Sequence, residues 1–171
     1  MRRLSAYFDI MPEIEYNREA ALAYARRWAF SRNPIYYNFE NLGGDCTNFA
    51  SQCLYAGCGV MNFTPVTGWY YRSLNDRTPS WTGVEYFYNF LINNNGVGPF
   101  AVELPLDRLE VGDFIQLGRA TGDFYHTPMI TAVADGQIYV AAHTLDAFDR
   151  PLSTYVFELA RGIHILGARV N

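Results

Sequence analysis

From Asn17 onward, apolar positions recur at helical spacing. Leu22, Ala25 and Ala29 form one stripe, with Ala21 and Trp28 beside it, and Asn17 is of a type that caps a helix. The spacing predicts a helix from there to about Ser31, and Pro34 ends it. "GGD" at 43–45 breaks the chain. Cys46, Phe49, Ala50 and Cys53 then share one face at i, i+3, i+4 and i+7, which predicts a second helix with Asp45 as its cap and Gly57 as its stop. A third helix is expected over Val84–Asn93, with Val84, Phe87, Tyr88, Leu91 and Ile92 facing inward and "NNNG" closing it. Between Gly59 and Ser80 runs a long loop rich in aromatics.

The second half changes period. "VGDFIQLG" reads as a turn feeding a strand at Phe114–Leu117. "PMITAVADGQIYVAAHT" holds two apolar runs around Asp135-Gly136, the signal of a two-residue hairpin. Both of its faces are apolar, so burial on both sides is expected. "TYVFEL" and "IHILGARV" supply two more strands. Helices first and strands later predict an α+β fold, with N-terminal helices packed on a small antiparallel sheet.

The chain of 171 residues shows no repeat, low-complexity tract or internal boundary, and it reads as one domain over 1–171. Half of it is hydrophobic, which fits a packed core. A net charge of −4 excludes a general binder of nucleic acid or anionic membranes. All 13 basic side chains are arginine, a bias with no physical explanation here. No segment approaches the roughly 20 apolar residues of a membrane helix. Asp9, Glu13 and Glu15 interrupt the N-terminus, so it does not read as a secretory signal; the chain as written reads as cytoplasmic, with export left open. Three cysteines close no disulfide framework, and their spacing is not a zinc pattern, so no metal or cofactor is expected.

The chemistry centres on Cys46. As the first residue of a helix it meets unpaired backbone N–H groups and the positive end of the dipole, which favour the nucleophilic thiolate. Those N–H groups also suit a developing oxyanion, and Gly43 and Gly44 leave room for substrate. Such a thiol needs a base. His126 opens the hairpin and His143 ends its second strand. With a two-residue loop, both fall on one side of the sheet, a diagonal step apart, and Asp146 points away; a slip of one residue reverses this. His126 is then the base and His143 its orienter. His164 reads as structural, Cys53 as core, and Cys58 as exposed beyond the helix stop. An inert buried cysteine, and a metal site of Cys46, His126 and His143, are the alternatives. Trp69, Tyr70, Tyr71 and Trp81 are candidates for a substrate groove or for ordinary packing.

"GGDCTNFASQCL", a Trp-bearing loop, "VGDFIQ", "FYHTPMITAV" and "AAHTLD" together resemble the putative amidase domain family of bacteria, related to the NlpC-type cell-wall peptidases and CHAP amidases of the papain-like superfamily. The resemblance covers roughly residues 16–146. It implies a helix bearing the nucleophile, packed on a small antiparallel sheet bearing the base. Carried over by motif, Cys46 is the nucleophile, His126 the general base and His143 the third member, with Asp146 in reserve. Asp45 is read as a cap, and Asn38 or Tyr37 as an oxyanion donor. The implied substrate is an amide bond of a cell-wall peptide, so the expected partner is a peptide or muropeptide. A transferase using an amine as acceptor, and a catalytically silent binding module, are the competing functions.

Overall fold

Asn17 caps the first helix, α1 (Arg18–Trp28), by accepting a hydrogen bond from the Ala20 N–H. Ala21, Ala25 and Ala29 are fully buried, and their small side chains let α1 lie close against α2 (Cys46–Cys58). The structure, a computed structural model, describes residues 10–171. The reading of the first nine residues as no signal lies outside the described residues.

Eleven of the thirteen residues of α2 are buried, so it is a central helix and not an amphipathic surface one. It runs past Gly57 to Gly59, whose φ of 66° makes the left-handed C-cap. Gly57 serves a different purpose: a side chain there would collide with the Tyr16 ring. Cys58 is therefore the last helical residue and is buried, against the expected exposure, while Cys53 is core. A short helix, α3 (Pro79–Thr82), precedes α4 (Val84–Asn93), whose bounds match the sequence expectation. Phe87, Phe90 and Leu91 form its buried face.

The strands are β1 (Glu13–Ile14), β2 (Tyr71–Ser73), β3 (Asp76–Arg77), β4 (Gly98–Leu104), β5 (Phe114–Gly118), β6 (Phe124–His126), β7 (Met129–Ala134), β8 (Gln137–Ala142), β9 (Ala147–Pro151) and β10 (Leu159–Arg169). Eight of them make one antiparallel sheet in the order β1-β10-β5-β7-β8-β9, with β4 also on β10 and β6 on β5; it curls into a half-barrel. β2 and β3 pair separately. "TYVFEL" is not a strand: a 3-10 turn occupies Leu152–Thr154, and β10 begins at Leu159.

The two faces of the sheet bury different cores. Phe114 and Met129 join Phe49, Trp69, Trp81 and Phe87 on the helix side. Ile115, Leu117 and Ile130 join Leu109 and Leu152 on the other. Each such side chain contributes about 1.5–3 kcal/mol by leaving water. The β7–β8 hairpin is buried only at its base; Val133, near its tip, is half exposed.

One irregularity positions the site. Ala134 pairs with Gln137, as a two-residue loop requires, yet Met129 pairs with Ala141. The register shifts between Ile130 and Ala132, so Thr131 is an extra, bulged residue. Every position N-terminal to it in β7 is turned to the face opposite the simple expectation.

Candidate active site

Two glycines shape the approach to α2. Gly43 and Gly44, at φ 87° and 100°, make the sharp entry, in a region that side chains disfavour. Cys46 follows as the first helical residue and is 8% exposed. Its Sγ lies 3.8 Å from Thr47 Oγ1 and 4.0 Å from the Tyr125 carbonyl oxygen. Burial pushes the thiol up; hydrogen bonds from the Thr47 side chain and from the Thr127 and Thr47 main chain pull it back only in part, and the nearby Asp45 carboxylate adds to the rise.

The sulfur therefore meets the main chain that carries His126, not its ring. His126 pairs with Leu117 across β6 and β5, and pairs in register share a face, so the imidazole joins Leu117 on the side away from the helices. There it packs at 5.7 Å from the Tyr155 ring, over which Arg150 sits at 3.8 Å. Burial and then the Arg150 charge bring its pKa down to about 4. Among the described residues neither ring nitrogen has a hydrogen-bond partner. Just past this strand, the main chain of Thr127 faces the sulfur.

His143 lies on the helix side and does not touch His126, which corrects the expected orienting role. Its Nδ1 is 2.5 Å from Asp45 Oδ2 and its Nε2 2.8 Å from the Trp28 carbonyl oxygen. Phe49 stacks on the ring at 3.9 Å. The Thr131 bulge is the reason: it turns His126 and His143 to opposite faces. Asp146, the reserve, does not reach His126 either; it holds Arg32 through two bonds of 2.9 and 3.0 Å at the surface. Cys46, His126 and His143 do not converge, so they do not form the metal site considered from sequence.

Asp45 is not a side-chain cap. Its fully buried carboxylate accepts the Phe39 N–H and Asn48 Nδ2, each at 2.8 Å, besides His143. Asn48 in turn donates to the Tyr37 carbonyl at 3.0 Å and accepts Trp81 Nε1 at 3.0 Å. Asn38, the expected oxyanion donor, uses its side-chain oxygen on the Glu40 N–H within its own loop. The Tyr37 N–H is spent on Tyr71 Oη. Trp69 and Trp81 are fully buried and pack with Tyr71 in the helix-side core, while Tyr70 lies against Phe63 and donates its hydroxyl to Asp76 at 3.0 Å. His164 binds buried Asp113 at 2.8 Å, with Arg18 on the same carboxylate, a structural pairing.

Sequence reasoning passed over Thr47, Thr127 and Gln116. All three are buried and linked to one another beside the sulfur. Their only signal was adjacency, a threonine directly after Cys46 and another directly after His126.

A family model described as a putative amidase domain matches residues 15–166. Among curated proteins, the uncharacterized protein YhbB of Bacillus subtilis is 34% identical over 138 residues, covering 78% of this chain and 43% of that protein. The uncharacterized protein YjcM of Bacillus subtilis is 27% identical over 144 residues, covering 80% of this chain and 32% of that protein. The chain thus spans less than half the length of these relatives. No solved structure matches significantly.

Proposed function

We propose, from the premise that the chain belongs to the putative amidase domain family, that it is a thiol-dependent amide hydrolase with Cys46 as nucleophile and His126 as general base. One observation carries the reading: Cys46 is the first residue of a buried helix, and its sulfur packs on the main chain that leads into His126. In the reaction, Sγ bonds to the amide carbonyl carbon, the C–N bond breaks, and the thiol proton passes through the base to the leaving amine. Water then cleaves the thioester. The substrate class, amides of cell-wall-type peptides, rests on the motif resemblance.

His126 is neutral near pH 7, the form a base needs. Its ring must leave Tyr155 and come to the sulfur side for this chemistry. It ends β6, and the Pro128 carbonyl that follows accepts the Ile115 N–H at 3.0 Å, so this move requires the end of the strand to open. The test is incubation with muropeptides, with and without an added amine, followed by mass spectrometry. New amine and acid ends are expected, and an amine adduct identifies a transferase. Cys46→Ala abolishes turnover, and His126→Gln lowers it by about 10²–10⁴-fold. Turnover that survives Cys46→Ala overturns the reading.

A second reading has one observation in its favour: the thiol is raised by burial and the imidazole faces away, as in a binding module without turnover. Alkylation of Cys46 only above about pH 8.5, the behaviour of an unactivated thiol, favours the module.

A further inference from the structure

We propose that Thr47, Thr127 and Gln116 form a one-way hydrogen-bond relay that ends on the Cys46 sulfur and stabilises its thiolate. The proposal rests on the reading of Cys46 as a nucleophile and adds to it a set of residues that prepares the sulfur.

The direction of each link follows from donor chemistry. Arg161 can only donate, and it gives Gln116 Oε1 two bonds, from Nε at 2.9 Å and Nη2 at 2.6 Å. That fixes the amide, because its oxygen is on Arg161 and its NH2 must point the other way. Gln116 Nε2 accordingly donates to the Val84 carbonyl at 2.8 Å and to Thr127 Oγ1 at 3.2 Å. Thr127, having accepted, has its own hydrogen free, and Thr47 Oγ1 lies 3.1 Å away. Thr47 then accepts from Thr127, and its hydrogen points to Sγ at 3.8 Å.

The protonated thiol has its own acceptor, the Tyr125 carbonyl oxygen 4.0 Å from Sγ, so the relay ends on the neutral sulfur as well. The bond from Thr47 is stronger to the thiolate, a charged acceptor, than to the thiol, and that difference favours the ionised form. Burial makes this matter: Thr47 and Gln116 are fully buried and Thr127 is 1% exposed, so water does not compete for these donors. Thr47 touches the reacting atom and is a catalytic residue in this sense. Thr127 and Gln116 act through it as positioning residues.

The other charged and titratable groups around the sulfur are few. Asp45 adjoins it just before α2, bonded to His143, which follows β8, and approached by Arg32 at 3.7 Å. His126 of β6 turns its ring to the far face, and Arg161 is paired with Glu85 at 2.9 Å at the outer end of the relay.

The experiment follows iodoacetamide alkylation of Cys46 against pH in the full chain, read by peptide mass spectrometry so that Cys53 and Cys58 are scored apart. Thr47→Val should move the midpoint up by about half to one pH unit, a loss of about three- to tenfold in thiolate at neutral pH. Thr47→Ser should restore the wild-type profile, since it keeps the hydroxyl and loses only a methyl. Arg161→Met frees the Gln116 amide to flip without touching the sulfur, and it should give a smaller upward shift. A Thr47→Val midpoint equal to wild type, or a Thr47→Ser midpoint that stays with Thr47→Val, overturns the relay. Absence of muropeptide turnover bears on the hydrolase reading and leaves these midpoints untouched.

Discussion

His126 and His143 stand on neighbouring stretches of one sheet and live under opposite conditions. His143 has both nitrogens engaged, an aromatic ring stacked on it and 1% of its surface exposed. His126 is almost as buried, yet among the described residues no hydrogen bond holds its nitrogens, and burial together with a cation near Tyr155 opposes its protonation. A histidine bonded through both nitrogens is a clamp; a histidine whose ring makes no such bond is not fixed by one. The difference marks His143 as structural; the proposed role of base rests on His126.

The largest effect expected from breaking this contrast is at the clamp. His143→Ala leaves the Asp45 carboxylate buried without its partner and costs about 3–5 kcal/mol, measured by urea unfolding. A cost below 1 kcal/mol would make the pair incidental.

Next comes the acid response of His126. An unfolded imidazole takes up a proton below about pH 6.5, the folded one only below about 4. Between these values the unfolded state binds more protons, so stability falls as pH drops through that window and the loss is complete below it. The contribution is ~3 kcal/mol in total. Other groups titrate there too, so the measurement is the difference between wild type and His126→Gln, whose stability should fall less steeply from pH 6.5 to 4. Parallel curves would place His126 in water.

The smallest effect sharpens the comparison of carboxylates. Asp146→Asn breaks a surface pair with Arg32 and should cost under about 1 kcal/mol, far less than loss of His143. A larger cost would mean that Arg32 needs Asp146 in order to support Asp45, which it approaches at 3.7 Å.

Much of the helical layer was legible beforehand because its signals are local. Asn17 as a cap, the alanine stripe of α1 and the bounds of α4 depend on neighbours within two turns. The Asp135-Gly136 turn was legible for the same reason. The placement of His126 and His143 on opposite faces was not, because it runs through Thr131, and a bulge leaves no mark in the alternation of a strand that is apolar on both faces. β4 and β9 escaped notice for a related cause: "GPFAVEL" and "AFDRP" carry proline or charge that argues against a strand, and long-range pairing overrides it. Asp45 reads as a cap from its place in the chain, but only the fold brings His143, Phe39 and Asn48 around it.

β10 pairs with β1, β4 and β5 at once. Its eleven residues are the seam on which three earlier segments are laid side by side. During synthesis those segments leave the ribosome well before the strand that joins them, so the half-barrel cannot assemble from its beginning and must wait for residues 159–169. Until then β4 and β5 present open edges, and that interval, more than any feature of the finished molecule, is when this chain is most exposed to aggregation.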